Sequence, residues 1–167
     1  MLYLNETSLS PDPTIGRKLT KSDGNWYTME IRPHAVASST IDERRIKEWN
    51  SSLSMFHPHP PLSIDPGSSA EKDIVVDFGT ELEGELEITL LTEGSGFMAV
   101  SFGESLHEAA EWGLRTECKN QRPRKQHWSV ESKGTHTRRF EPGGFRHVRL
   151  RWIDFDNPLV FAKILVH

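Results

Sequence analysis

The chain has 167 residues, 24 acidic and 20 basic side chains for a net charge of −4, 35% hydrophobic residues and one cysteine, Cys118. That is the size of one domain, or of one domain with an extension, and the single thiol excludes an internal disulfide framework. Apolar runs of a few residues fall far short of the ~20 that cross a bilayer.

Residues 1 to 23 are polar and turn-rich, and read as an irregular leader. Met1 to Leu9 lacks the basic start and apolar stretch of a secretory signal, so a cytoplasmic location without membrane contact is the expectation. From Trp26 the side chains alternate, with Tyr27, Met29 and Ile31 on one side. This predicts a strand closed by Pro33, which has no amide to give to a ladder. Thr40 followed by Glu43 has capping-box spacing and predicts a short helix to about Trp49. Ile46 and Trp49 would share its apolar face, and Glu43 and Lys47 would pair outside. Ser51 to Ser69 is rich in Pro and Ser, which predicts an irregular loop wrapping the domain. His57 and His59 within it have no third ligand nearby, so no metal is expected. Asn50-Ser51-Ser52 matches a glycosylation sequon, read here as chance.

Three strands are predicted next, at Ile74–Phe78, Glu85–Leu91 and Phe97–Phe102, with Gly79, Gly84, Gly94, Gly96 and Gly103 at the breaks. Ser105 to Trp112 predicts about two helical turns, and residues 115 to 126 a charged loop. His127–Val130, Thr137–Glu141, Phe145–Ile153 and Leu159–Val166 predict further strands. In Phe145–Ile153, Val148, Leu150 and Trp152 alternate with His147, Arg149 and Arg151, so one face is core and the other solvated. The expected fold is mainly β, an antiparallel β-sandwich or jelly roll with one or two short helices. Residues 73–167 would form the sandwich, and residues 1–72 a leader with one strand, a short helix and the Pro-rich loop packed on it.

Charge is unevenly distributed. From Asp73 to Glu111 there are ten acidic residues and no Lys or Arg; from Arg115 to Arg151 there are eleven basic residues against Glu117, Glu131 and Glu141. A basic block is one footprint of nucleic-acid binding. Here the basic residues alternate with apolar ones, which predicts opposite-charge pairs across strands of about 0.2–1 kcal/mol each and no nucleic-acid partner.

VVDFGTELEGELEITL, SFGESLHEA and FEPGGFRHVRL, in that order, resemble the β-sandwich accessory domain of bacterial α-L-rhamnosidases, glycoside hydrolases. The matching positions are Asp77, Phe78, Gly79, Glu81, Gly84, Gly103, Glu104, Gly144, Phe145 and Arg146, while His147 stands where the family usually has Tyr. The likeness covers roughly residues 73 to 167 and implies a concanavalin-like or jelly-roll domain of a glycosidase. In that family the catalytic carboxylates lie on a separate helical barrel. About twelve helices of ~11–12 residues do not fit into 167 residues with two short helices. The expectation is a non-catalytic chain without cofactor, whose partners are an adjacent catalytic domain and rhamnose-containing glycans. The alternative is a structural module with no ligand.

Glycosidase acids sit ~5–9.5 Å apart. Glu83, Glu85 and Glu87 share a two-residue period, which reads as one solvated sheet face and not as such a pair. Sugar-binding modules stack exposed aromatic rings on pyranose C–H faces, with polar groups alongside. The candidate carbohydrate contacts are Trp112, Trp128, Glu104 and His107. For Trp112 and Trp128 the competing role is core packing. For Glu104 it is a helix cap or a partner for an arginine. Trp152, Trp26 and Trp49 read as packing anchors.

Overall fold

The computed structural model describes residues 17–21, 27–38, 40–53, 59–65, 72–110, 125–153, 155 and 157–167. Two antiparallel sheets enclose one apolar core. One sheet holds β1 (Arg17–Lys21), β2 (Tyr27–Ile31), β4 (Leu62–Ile64), β6 (Leu86–Thr92), β9 (Gly134–Phe140) and β11 (Leu159–Val166). Its order is β1-β2-β11-β6-β9, with β4 also on β11. The other holds β3 (Ala35–Ala37), β5 (Lys72–Glu83), β7 (Gly96–Gly103), β8 (Lys125–Val130) and β10 (Gly144–Ile153), in the order β3-β5-β10-β7-β8. The chain switches sheets at every connection between consecutive strands except β1–β2 and β7–β8, the weave of a β-sandwich.

Alternation drives the packing. Ile74, Val76 and Phe78 of β5, Met98, Val100 and Phe102 of β7, and Val148, Leu150 and Trp152 of β10 are buried. Leu86, Ile88 and Leu90 of β6 and Leu159, Phe161 and Ile164 of β11 meet them. Each fully buried side chain of this size contributes about 1.5–3 kcal/mol. No helix among the described residues is long and apolar enough to cross a membrane.

Helix α1 (Glu43–Ser51) buries Ile46 and Trp49, and its Glu43–Lys47 pair closes at 2.7 Å. Its cap differs from the expected one. Asp42, adjacent to the first turn, accepts from the amides of Arg44 and Arg45 at 3.0 and 3.3 Å. Thr40 lies too far upstream, and its hydroxyl instead accepts from the Asp73 amide at 2.9 Å and donates to the Asp73 carboxylate at 3.1 Å. The 51–69 segment also departs from expectation, because Leu62–Ile64 pairs with Leu159–Phe161 as β4. Three residues make a strand there because the edge of β11 offers them unpaired groups.

Asn50 does more than end α1. Its side-chain amide accepts from the Val36 amide and donates to the Val36 carbonyl, both at 2.8 Å. It thus pairs with the edge strand β3 as another strand would. Both ends of that amide are spent on the backbone of β3.

Candidate functional site

The three stretches that carry the family likeness meet at one end of the second sheet. Between the pairs His147↔Asp77 and Phe145↔Leu82, β5 holds four residues against one on β10, an excess of three. Gly79 sits in this bulge at φ +78°, a left-handed conformation that strains any side chain. Asp77 Oδ1 accepts from the Gly79 amide at 2.7 Å, which holds the turn. The bulge lets consecutive residues of β10 reach one carboxylate. Arg146 grips Asp77 at two points, Nε to Oδ1 at 2.9 Å and Nη2 to Oδ2 at 3.0 Å. His147 Nε2 lies 3.6 Å from Oδ2. Partial burial pushes the Asp77 carboxyl upward, but the Arg146 fork, the Gly79 amide and the charge of His147 outweigh it and hold it below the usual range. Beneath, Phe145 meets Phe78 and Phe102 edge-on, with ring centroids 5.9 and 5.4 Å apart.

The middle stretch, SFGESLHEA, supplies Gly103, which pairs with His147. A Cβ on Gly103 would lie 2.4 Å from the Ala109 nitrogen, so only glycine lets helix α2 (Leu106–Ala110) sit on β7. Ser101 Oγ donates to the Ala109 carbonyl at 2.9 Å. Arg149 Nη1 donates to the Ala110 carbonyl at 2.8 Å, while its Nη2 and Nε hold Asp73 at 2.6 and 2.8 Å. Thus α2 is bound to the outer face of the sheet by two hydrogen bonds and by its close approach at Gly103.

Of the candidate sugar contacts, Glu104 just before α2 and His107 within it are exposed. The cap of α2 is Ser105, whose hydroxyl accepts from the Glu108 amide at 3.1 Å, and the Glu108 carboxylate reaches back to the Glu104 amide at 3.0 Å. Trp128 is placed elsewhere: it is 7% exposed and packs against Phe140 with centroids 6.2 Å apart. Its indole is core and presents no open face for stacking. Trp112 lies outside the described residues, as do Trp26 and Cys118. Trp49 and Trp152 are buried, at 5% and 3% exposed. The structure therefore brings Glu104 and His107 together on one shoulder and separates Trp128 from them.

The glutamate row is not one solvated face. Glu83 ends β5, Glu85 precedes β6, and Glu87 on β6 is 6% exposed. Glu87 receives Lys163 at 2.7 Å, Arg139 at 2.9 Å and His167 at 3.0 Å. Burial raises its carboxyl, yet the bonds from Lys163, His167 and Arg139 bring it down to about 2. An acid held this low is permanently charged near neutrality and makes a poor proton donor. Among the described residues, no three His, Cys, Asp or Glu side chains gather where they could hold a metal ion.

No family profile matches the sequence, and no curated protein sequence does either. Solved structures do resemble the fold. The CBM32 of AlyQ, in complex with 4,5-unsaturated mannuronic acid, aligns with a TM-score of 0.52 at 11% identity over 84% of this chain and 98% of that one. A GH78 family rhamnosidase of Bacillus sp. GL1 aligns with a TM-score of 0.51 at 14% identity over 84% of this chain. The chain spans 13% of that rhamnosidase. Reduced XRCC1, bound to the DNA polymerase β catalytic domain, aligns with a TM-score of 0.50 at 15% identity over 83% of this chain and 98% of that one. At these identities the likeness establishes a shared β-sandwich, and function has to be argued from the residues.

Proposed function

We infer that the chain is a non-catalytic β-sandwich domain of an α-L-rhamnosidase-like glycoside hydrolase, which supports a catalytic barrel and contacts carbohydrate. One observation carries this reading. The residues of the resemblance, separated by up to 69 positions, close on one another as the Asp77–Arg146 fork, the Phe78–Phe145 contact and the Gly103 seat of α2. The fold shared with a rhamnosidase and a CBM32 fits the same reading. The proposed sugar contacts are Glu104 and His107 on the α2 shoulder, with Trp112 from the segment that follows it.

The test is a titration with rhamnose-containing oligosaccharides, followed by tryptophan fluorescence and amide chemical shifts. Changes at Glu104 and His107 that are lost in Trp112→Ala support the site; no change up to millimolar sugar ends the carbohydrate reading. Release of rhamnose from an aryl rhamnoside by the purified chain would overturn the non-catalytic assignment.

A second reading, a docking module without a ligand, draws on the same knot. Asp77, Arg146, Phe78 and Phe145 are spent on one another, as residues that shape a domain would be. The XRCC1 neighbour is a sandwich of this kind described in a complex with another protein. Silence in the titration together with binding to the catalytic barrel would favour it.

A further inference from the structure

Strand β11 is paired by β6 on one side. On the other it is paired by β4 at Leu159 to Phe161 and by β2 at Val166. In the gap between those two contacts, the Ile164 amide donates to Nε2 of His59 at 2.8 Å. Since Nε2 is the acceptor, Nδ1 carries the proton and donates to the Pro60 carbonyl at 3.0 Å. The same carbonyl accepts from Trp49 Nε1 at 2.8 Å, and Trp49 meets the imidazole edge-on at 5.3 Å. His59 is 7% exposed, so these bonds are largely shielded from solvent.

We propose that His59 is an acid-sensitive latch, whose neutral ring stands in for a missing strand at Ile164 and holds the Pro60–Ile64 segment on the sheet until protonation releases it. A proton added at Nε2 sets two donors against each other and leaves the Ile164 amide without an acceptor. Charged groups on the packed elements do not relieve this. Arg45 of α1 is engaged with Asp65 beyond β4 at 3.1 Å, and Lys163 of β11 with Glu87. Arg32, just after β2, brings a positive charge toward the ring, and its buried Nη1 has no acceptor. Burial first, and Arg32 with it, hold the imidazole below its ordinary 6.5 despite the Pro60 carbonyl. The open segment takes up the proton near 6.5, so the latch is fully closed above that pH and weakens as pH falls through it.

The experiment is amide hydrogen exchange on the nitrogen-15-labelled full chain from pH 7.5 to pH 5, expressed as protection factors. Protection at Ile164 and Ser63 should fall, approaching about tenfold per pH unit below 6.5, while Leu150 in β10 holds. His59→Gln, whose side-chain oxygen still accepts but does not titrate, should lose that pH dependence. Ile164 protection that persists to pH 5, or the same acid loss in His59→Gln, overturns the latch. If the variant does not fold, the imidazole nitrogens of the unaltered chain decide: ordinary titration near 6.5 with Ile164 still protected refutes the proposal.

Discussion

Asp77 and Arg146, 69 positions apart, form a two-point ion pair that only a bulged β5 allows. The pair also carries the turn at Gly79, because Asp77 Oδ1 serves both the guanidinium and the glycine amide. Asp77→Asn keeps an acceptor for that amide and Asp77→Ala does not. The alanine variant should therefore show the larger drop in melting temperature and the larger Gly79 amide shift. Equal effects would mean that the charge, and not the turn, is what Asp77 supplies.

Phe145 is fully buried between Phe78 and Phe102. Phe145→Ala should cost about 3–5 kcal/mol in urea unfolding, and Phe145→Leu less than about 1.5 kcal/mol. A loss under about 1 kcal/mol for the alanine variant would show that this end of the core is loosely packed.

Asn50 pairs with Val36 through both halves of its amide. Asn50→Ala removes two hydrogen bonds at a sheet edge and should cost about 1–3 kcal/mol. Asn50→Asp keeps the acceptor but turns a carboxylate oxygen on the Val36 carbonyl, so it should be no better. Both variants bare the edge of β3, and sedimentation should show more concentration-dependent self-association than the unaltered chain.

Glu87 gives the domain a second, more acidic limit. Its carboxyl is held at about 2 against an ordinary 4.5, so the folded state binds fewer protons than the unfolded state between those values. The stability it contributes is complete above pH 4.5 and is lost as pH falls toward 2. Glu87→Gln should start less stable at neutral pH and lose less stability over that window. Parallel acid-unfolding curves for the two proteins would refute this, and the window opens below the pH 6.5 at which the His59 latch begins to weaken.

Much of the sandwich was legible in the two-residue period: β10 buries the residues its alternation assigns to the core, and Trp152 sits among them. The charge asymmetry also resolved as expected, into pairs such as Arg139 with Glu87 and Arg149 with Asp73. What escaped depended on partners distant in sequence. Alternation marks Glu87 as outward-facing, but it does not show that Lys163, Arg139 and His167 close over it. Nothing local in Leu62–Ile64 demands a strand; the free edge of β11 does. His59 looked like half of a weak metal motif, and its partner amide lies 105 positions away. At the candidate site, periodicity placed Glu104 at a strand end, but for Trp128 it did not separate core from surface.

β11 is the common partner of β2, β4 and β6. During synthesis each of those three strands leaves the ribosome before the strand it must pair with exists. Their exposed edges and apolar faces have to wait for residues 159–166, a delay in which aggregation competes with folding. Variants that weaken β11 should therefore lower the yield of soluble protein more than their equilibrium stability alone would suggest.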